Sequence, residues 1–318
     1  MGDPAFTEMF LLTLFGEMEN VKYAYFVLVL LIYLSIISIN LTLILVILLE
    51  RNLHEPMYVF LCGLSVNSLY GTAGFFPRFL ADLLSDTHTI TRAACFTQAF
   101  IIYSYAGAEF TFITVMAYDR YVAICKPLQY NSIMGPRTVL ILVMAALLYP
   151  LSYMVVAVSC SARKAFCGHE INRLYCANWS LIRLSCDANA LKDVFGICFT
   201  AFTVFLPCCF ILYSYIRILL ICQKRSSEFK SKALKTCLPH LLTFVNYSIT
   251  IISEIILIRL DSVPRAVAVI LSLEFLIIPP ILNPLMYGLN LPEIRRRIIF
   301  IRKNKMRMNV TLPYSVRY

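Results

Sequence analysis

An acidic and a basic residue stand side by side where a long apolar stretch of the sequence ends. Asp119 and Arg120 follow the run that closes at Tyr118, and Tyr121 follows them. A carboxylate at such a boundary can hold a neighbouring guanidinium in a resting ion pair. Release of Arg120 exposes a planar, multi-donor cation to a docking partner. We therefore predict a switch at this position, and a simple anchor for the inner side of a membrane is the other interpretation.

A second acid and base occur near the end of a later apolar run. Arg259 follows Glu254 by five residues, and Asp261 comes two residues after it. A desolvated guanidinium can bind a carboxylate or sulfonate with two hydrogen bonds, so Arg259 and Glu254 are predicted to belong to a ligand site. The sequence equally allows Arg259 to extend to a membrane interface or to pair with Glu254 or Asp261.

One acid lies in the middle of an apolar stretch. Glu109 has no charged neighbour within its run. It can hydrogen-bond polar side chains of other helices, such as Asn67 or Asn283, or it can be a neutral structural residue. In the six residues before it, Tyr103, Ser104, Ala106 and Gly107 combine hydroxyls with small side chains. They predict one wall of a small-molecule pocket, although Tyr103 also suits a packed core.

Four cysteines are predicted to lie on one side of the molecule. Cys95 begins the third apolar stretch, and Cys167, Cys176 and Cys186 lie in the loop of about 161–192. An oxidising compartment favours disulfides between them. Four cysteines allow three pairings, and the residues alone do not select one.

The elements that must position these residues are membrane-spanning helices. The 318 residues are 60% hydrophobic and 14% charged, against roughly 45–50% and about 25% in soluble domains. Seven stretches carry no charge: 23–49, 56–77, 93–108, 138–162, 194–216, 236–253 and 275–292. Most reach the roughly 20 residues that a span requires, and admitting Glu109, Glu254 and Glu274 extends the others. We predict an all-α membrane protein, a seven-transmembrane-helix bundle.

Basic residues predict the orientation of this bundle. Most of the 28 Lys and Arg residues fall on the cytoplasmic side if the amino terminus is extracellular. The basic and isoleucine-rich segment 294–307 predicts a short amphipathic eighth helix on the anionic inner leaflet, with membrane lipids as partners. The net charge of +10 favours contact with the anionic surface of a membrane. No nucleic-acid-binding motif accompanies it, so nucleic acid is not expected as a partner.

Several sequence strings resemble a known family. MAYDRYVAICKPLQY at 116–130 is similar to the signature of vertebrate odorant receptors, a branch of the rhodopsin-like G-protein-coupled receptors. Matching strings cover nearly the whole chain in the same order: LHEPMYVFL at 53–61, SYIRI at 214–218, KALKTCLPH at 232–240 and PPILNPLMY at 279–287. Arg259, nineteen residues after His240, and the tandem Pro279-Pro280 resemble the class I, or fish-like, members.

The resemblance implies roles for matched positions. Asp119, Arg120 and Tyr121 form its central motif, Tyr215 and Tyr287 are further moving contacts at the inner end, and Asn283 with Pro284 is the flexible segment of the seventh helix. It implies the disulfides Cys95 to Cys176 and Cys167 to Cys186. Asn178 is the outward-facing glycosylation sequon. Most rhodopsin-like receptors carry an aspartate in the second helix, whereas the run LSVNS at 64–68 offers Asn67 and Ser68 instead, which argues against an internal sodium site.

The resemblance also implies a division of the chain and a function. Residues 1–22 are an extracellular tail, 23–290 the seven-transmembrane receptor domain, and 291–318 the cytoplasmic amphipathic helix and tail. The implied protein is not an enzyme and uses no cofactor or metal. It is a multi-pass protein of the plasma membrane, in the cilia of olfactory neurons. It binds a small-molecule odorant, with water-borne anions among the expected classes, and activates a heterotrimeric G protein of the olfactory or stimulatory type to raise cyclic AMP.

Other functions fit the sequence less well. The nearest alternative is a rhodopsin-like receptor for an endogenous metabolite or hormone outside olfactory tissue. A transporter is disfavoured because the sequence shows no internal repeat, and a channel because no polar file crosses the spans. Light sensing by a retinal Schiff base is disfavoured because no lysine occurs between 266 and 287.

Overall fold

The computed structural model of the protein describes residues 9–17, 21–186, 190–259 and 264–290. At some of these positions, Arg259 and Tyr287 among them, only the backbone is described. The predicted segment 291–318, which includes the eighth helix, and half of the predicted segment 1–22 lie outside the described residues.

Seven of the described helices are long and apolar enough to cross a membrane. They are α1 (Lys22–Leu49), α2 (Pro56–Leu84), α3 (Arg92–Cys125), α5 (Pro136–Ala162), α7 (Ala190–Gln223), α8 (Ser227–Arg259) and α9 (Arg265–Asn290), and the short helices α4 (Tyr130–Ile133) and α6 (Asn178–Arg183) lie between them. The predicted seven-helix bundle is confirmed.

The helices are longer than the charge-free stretches that predicted them. Helix α2 continues to Leu84, beyond Arg78 and Asp82. These two side chains form an i,i+4 ion pair with Arg78 Nη2 2.8 Å from Asp82 Oδ1, and Arg78 also donates to the Thr89 carbonyl. Because the charges are paired at the end of the helix, they do not terminate it.

Helix α3 is the central element. It packs against α2, α5, α7 and α8, and α9 closes the bundle against α1, α2 and α8. Small residues permit the closest approaches, as expected for helices in lipid. A Cβ atom at Gly71 of α2 would lie 2.3 Å from the ring of Tyr105, and one at Gly107 of α3 would lie 2.7 Å from the Pro150 side chain.

Proline leaves backbone carbonyls in two helices without their usual partner, and neighbouring helices supply donors. Pro284 has no N–H, which frees the carbonyl of Pro280 four residues earlier, and Asn40 of α1 donates to that oxygen at 2.9 Å. Pro150 likewise frees the carbonyl of Ala146, to which Thr111 donates at 2.8 Å. These hydrogen bonds link the proline-containing helices α9 and α5 to α1 and α3.

A small sheet covers the end of the bundle that carries Cys95, here called the disulfide end. Strand β1 (Met9–Leu12) lies between β2 (Thr89–Thr91), with which it is antiparallel, and β3 (Glu170–Ile171), with which it is parallel. Disulfides join Cys95 to Cys176 and Cys167 to Cys186, the pairing that the family resemblance implies. The sheet and both disulfides therefore hold the long loop over the helices.

Candidate functional site

A cavity of about 210 Å³ lies beneath the long loop. Helices α3, α5, α6, α7, α8 and α9 all contribute to its wall, which is mainly aromatic and aliphatic. Phe110, Tyr153, Trp179 and Phe275 are among the aromatic residues. The volume is below the roughly 300–1,000 Å³ of pockets for drug-sized ligands, so the cavity suits a compact organic molecule.

Helix α3 places three of its four predicted residues at this cavity. Tyr103, Ala106 and Gly107 line it. Ser104 does not belong to the described lining, and this part of the predicted wall is corrected. Its hydroxyl lies 2.9 Å from that of Tyr70 in α2, because one residue along a helix turns the side chain by about 100°.

A polar corner interrupts the apolar wall. Glu254 of α8 lines the cavity and is 5% exposed. Its Oε1 accepts a hydrogen bond of 2.5 Å from the Tyr175 hydroxyl, and Arg173 Nη1 lies 3.8 Å from the same oxygen. Burial and the nearby Glu254 carboxylate raise the pKa of Tyr175 well above its ordinary value, so the phenol stays a donor.

The long loop supplies the two partners of Glu254, and sequence reasoning missed both. Tyr175 precedes Cys176, whose disulfide to Cys95 fixes it above α3. The Cys176 amide also donates to the Gln98 side chain at 3.0 Å. The cysteines of the loop indicate that it is tied down, and neither they nor the Asn178 sequon indicate which residues face inward.

Asn178 and Arg259 are two further positions that the sequence singled out. Asn178 begins α6 and lines the cavity, with its Oδ1 buried. A glycan is carried by Nδ2 rather than by Oδ1, so glycosylation of Asn178 stays a prediction. Arg259 ends α8, and its side chain lies outside the described residues, so the predicted anion contact stays a prediction.

Below the cavity, Glu109 connects three helices. Its carboxylate accepts hydrogen bonds from Asn67 of α2, at 3.0 Å, and from Asn283 of α9. The two partners are those that the sequence suggested. Asn67 also donates to the Tyr105 carbonyl at 3.0 Å. Among the described residues, side-chain amides supply the hydrogen bonds to the Glu109 carboxylate.

The opposite end of the bundle, here called the Arg120 end, holds the predicted ion pair. Arg120 donates to Asp119 Oδ2 from Nη2 at 2.6 Å and from Nε at 3.0 Å. Tyr130 of α4 donates to the other carboxylate oxygen at 2.8 Å. Burial and the charge of Asp119 raise the pKa of Tyr130 above its ordinary value, which keeps this donor protonated. The arrangement is a closed pair with all its oxygens engaged.

The remaining predicted switch residues surround this end only in part. Tyr215 of α7 is buried, and Tyr121 packs at the margin of the core. Asn283 and Pro284 lie within α9, where Asn283 reaches Glu109 rather than Arg120. Tyr287 lies in the same helix, but its side chain is outside the described residues.

In the described part of the chain no group of three or more His, Cys, Asp or Glu side chains could hold a metal ion. The bundle has a cavity beneath the long loop at the disulfide end and a charge pair at the Arg120 end.

Comparison with known proteins identifies the family. The olfactory receptor family model matches residues 29–305. Human olfactory receptor 10H1 is 35% identical over 90% of this chain and 91% of its own length. Human olfactory receptors 52K1 and 51E1 are 32% and 33% identical, covering 83% and 84% of this chain and 86% and 85% of their own. With its seven apolar helices, this chain belongs to the olfactory receptor family of G-protein-coupled receptors.

Proposed function

We propose that this receptor binds a small odorant in the cavity beneath the long loop and activates a stimulatory, olfactory-type G protein that raises cyclic AMP. The observation that carries the proposal is the compact aromatic cavity at one end of a bundle whose other end holds Arg120 in a closed ion pair. Membership of the family makes the protein a receptor for small molecules rather than an enzyme.

Helix α8 supports a physical connection between the two ends. Its Glu254 lines the cavity, and its Tyr247 donates to the Ala106 carbonyl of α3 at 2.7 Å. The same helix packs against α3, the helix that carries Arg120 near its end. A ligand that fits the cavity better when α8 pivots at Pro239 shifts the population toward an open Arg120 end. The terminal helix of the G protein then enters the groove beside Arg120.

The orientation follows from chemistry at the two ends. Two disulfides require an oxidising compartment, which supports an extracellular disulfide end and amino terminus. The basic residues near Arg120 and in 294–307 support a cytoplasmic Arg120 end, with the tail on anionic lipid. Plasma membrane of olfactory cilia is the proposed location.

The experiment expresses the full chain with a stimulatory G protein and reads cyclic AMP against an odorant panel. Arg120→Glu reverses the charge that the G protein meets, so we expect agonist binding to persist and the cyclic AMP response to fall at least tenfold. Arg137→Glu, an exposed arginine at the start of α5, is the matched control and should respond normally. Full signalling by Arg120→Glu at equal surface expression would contradict the proposal.

A further inference from the structure

Glu254 lines the cavity, and one of its two carboxylate oxygens makes no hydrogen bond in the described part of the chain. Oε1 is engaged by Tyr175 and faces Arg173. Oε2 is buried and has no hydrogen-bond partner among the described residues. A buried charged acceptor without a partner is costly, typically more so than a neutral one. A ligand that donates a hydrogen bond to Oε2 removes this cost.

The charge balance of this corner decides which donor fits. Arg173 is 6% exposed and its guanidinium already opposes the charge of Glu254 at 3.8 Å. An ammonium ligand adds a second cation and leaves one positive charge buried without compensation. A carboxylate ligand places two like charges together in a desolvated site. A neutral donor avoids both penalties.

The same wall offers a second contact for a hydroxyl. Tyr103 lines the cavity, and its phenolic oxygen is buried. A ligand hydroxyl is both a donor and an acceptor, so it can donate to Glu254 and accept from Tyr103. An ether or an aldehyde can accept but cannot donate. The rest of the lining is aromatic and aliphatic, which accommodates the carbon skeleton.

We infer that the ligands of this receptor are compact neutral alcohols or phenols whose hydroxyl donates to Glu254 Oε2. The inference rests on the cavity of the proposed function, and it names neutral donors as the ligand class in place of the anions that the sequence also allowed.

The test measures binding directly on the purified full chain in lipid nanodiscs, by the rise in melting temperature with ligand concentration. The probes share one skeleton and differ in one group: 2-phenylethanol, its methyl ether, 2-phenylethylamine and phenylacetate. Linear and branched eight-carbon sets with the same four groups extend the series. For the best-fitting skeleton we expect the alcohol to bind at least about tenfold more tightly than the ether, the usual range for a hydrogen bond to a charged group.

Variants locate the effect. Glu254→Gln should reduce the ratio of alcohol to ether affinity to within about twofold. Tyr103→Phe should weaken alcohol and ether by similar factors, because both accept from Tyr103, and should keep their ratio. Glu274→Gln, a carboxylate of α9 outside the described lining, is the matched control and should keep the wild-type ratio and affinities. If Glu254→Gln does not fold, the wild-type ratio and its retention in Tyr103→Phe still decide the question.

Three results overturn the inference: equal affinity for alcohol and ether, no binding by any alcohol of the three sets, or tightest binding by the acid with loss in Arg259→Ala. The last result would support the anion site expected from the sequence. Alcohol binding without cyclic AMP output in cells would instead contradict the proposed function and leave the inference standing. If ligands raise cyclic AMP but Glu254→Gln keeps the wild-type ratio of alcohol to ether affinity, the inference is contradicted and the proposed function stands.

Discussion

At the scale of single residues, Tyr130 is the group that completes the closed state of the Arg120 end. Asp119 is fully buried, and one of its oxygens accepts from Tyr130 while the other binds Arg120. Tyr130 lies in the short helix α4, so its hydrogen bond connects the ion pair to the segment that follows α3. Loosening this contact makes it easier to free Arg120.

We predict that Tyr130→Phe raises signalling without ligand. The change removes one hydrogen bond to a buried carboxylate, a contribution of about 1.5–3 kcal/mol in general. Even part of that difference should increase basal cyclic AMP severalfold. The measurement is basal cyclic AMP at matched surface expression. Tyr118→Phe is the control, since its ring packs on Phe210. A basal level equal to wild type would show that Tyr130 does not hold the resting state.

The sequence predicted the ion pair at the Arg120 end better than it predicted the cavity beneath the long loop. Asp119 and Arg120 are adjacent in sequence, so their pairing required no knowledge of the fold. The cavity depends on side-chain direction, and a single step along α3 separated Tyr103, which lines it, from Ser104, which faces α2. Arg173 and Glu254 are far apart in sequence, and their contact arises only after the disulfides place the loop.

At the scale of elements, the seven helices were predictable because lipid requires long apolar segments. The residues at which the helices end and the contacts between helices could not be predicted from the sequence. Polar pairs such as Arg78 with Asp82 extend a helix beyond the charge-free stretch. Side chains of neighbouring helices also donate hydrogen bonds to the backbone carbonyls that the prolines leave without a partner. These donors can be identified only when the packing of the helices is known.

We predict that Thr111→Val destabilises the junction of α3 and α5. Valine keeps the shape of threonine but cannot donate to the Ala146 carbonyl, which Pro150 leaves without its helical partner. A buried unsatisfied carbonyl costs about 1–3 kcal/mol, so the melting temperature without ligand should fall by several degrees. Thr97→Val is the control on the same helix, because that exposed hydroxyl bonds only the Ala93 carbonyl of its own helix. Equal melting temperatures for the two variants would disprove the argument.

At the scale of the whole molecule, the disulfide end is assembled from segments distant in sequence. Strand β1 near the amino terminus bonds to β2 before α3 and to β3 in the long loop. Phe10 on this strand is fully buried and meets the ring of Phe166 edge to face, with centroids 5.3 Å apart. The sequence predicted an extracellular tail over 1–22, but no pattern in so short a segment indicated that 9–12 completes a sheet.

This burial pattern leads to a prediction about the roof of the cavity. Met9 and Phe10 are adjacent on β1, yet Met9 is 48% exposed and Phe10 is 0% exposed. Phe10→Ala removes the anchor, a change that costs about 3–5 kcal/mol in a packed core. The loss should appear as local detachment, with faster amide exchange at Leu11 and Leu12, whose N–H groups donate to His169 and His88.

Hydrogen exchange followed by mass spectrometry on the full chain measures this detachment. Met9→Ala, the matched change on the opposite face, should leave exchange at wild-type rates. Because seven helices and two disulfides remain in Phe10→Ala, exchange within α3 should not change. Unaltered protection of Leu11 and Leu12 in Phe10→Ala would mean that the backbone ladder holds the strand without its aromatic anchor. Faster exchange in α3 as well would mean that the roof and the helical bundle unfold as one cooperative unit.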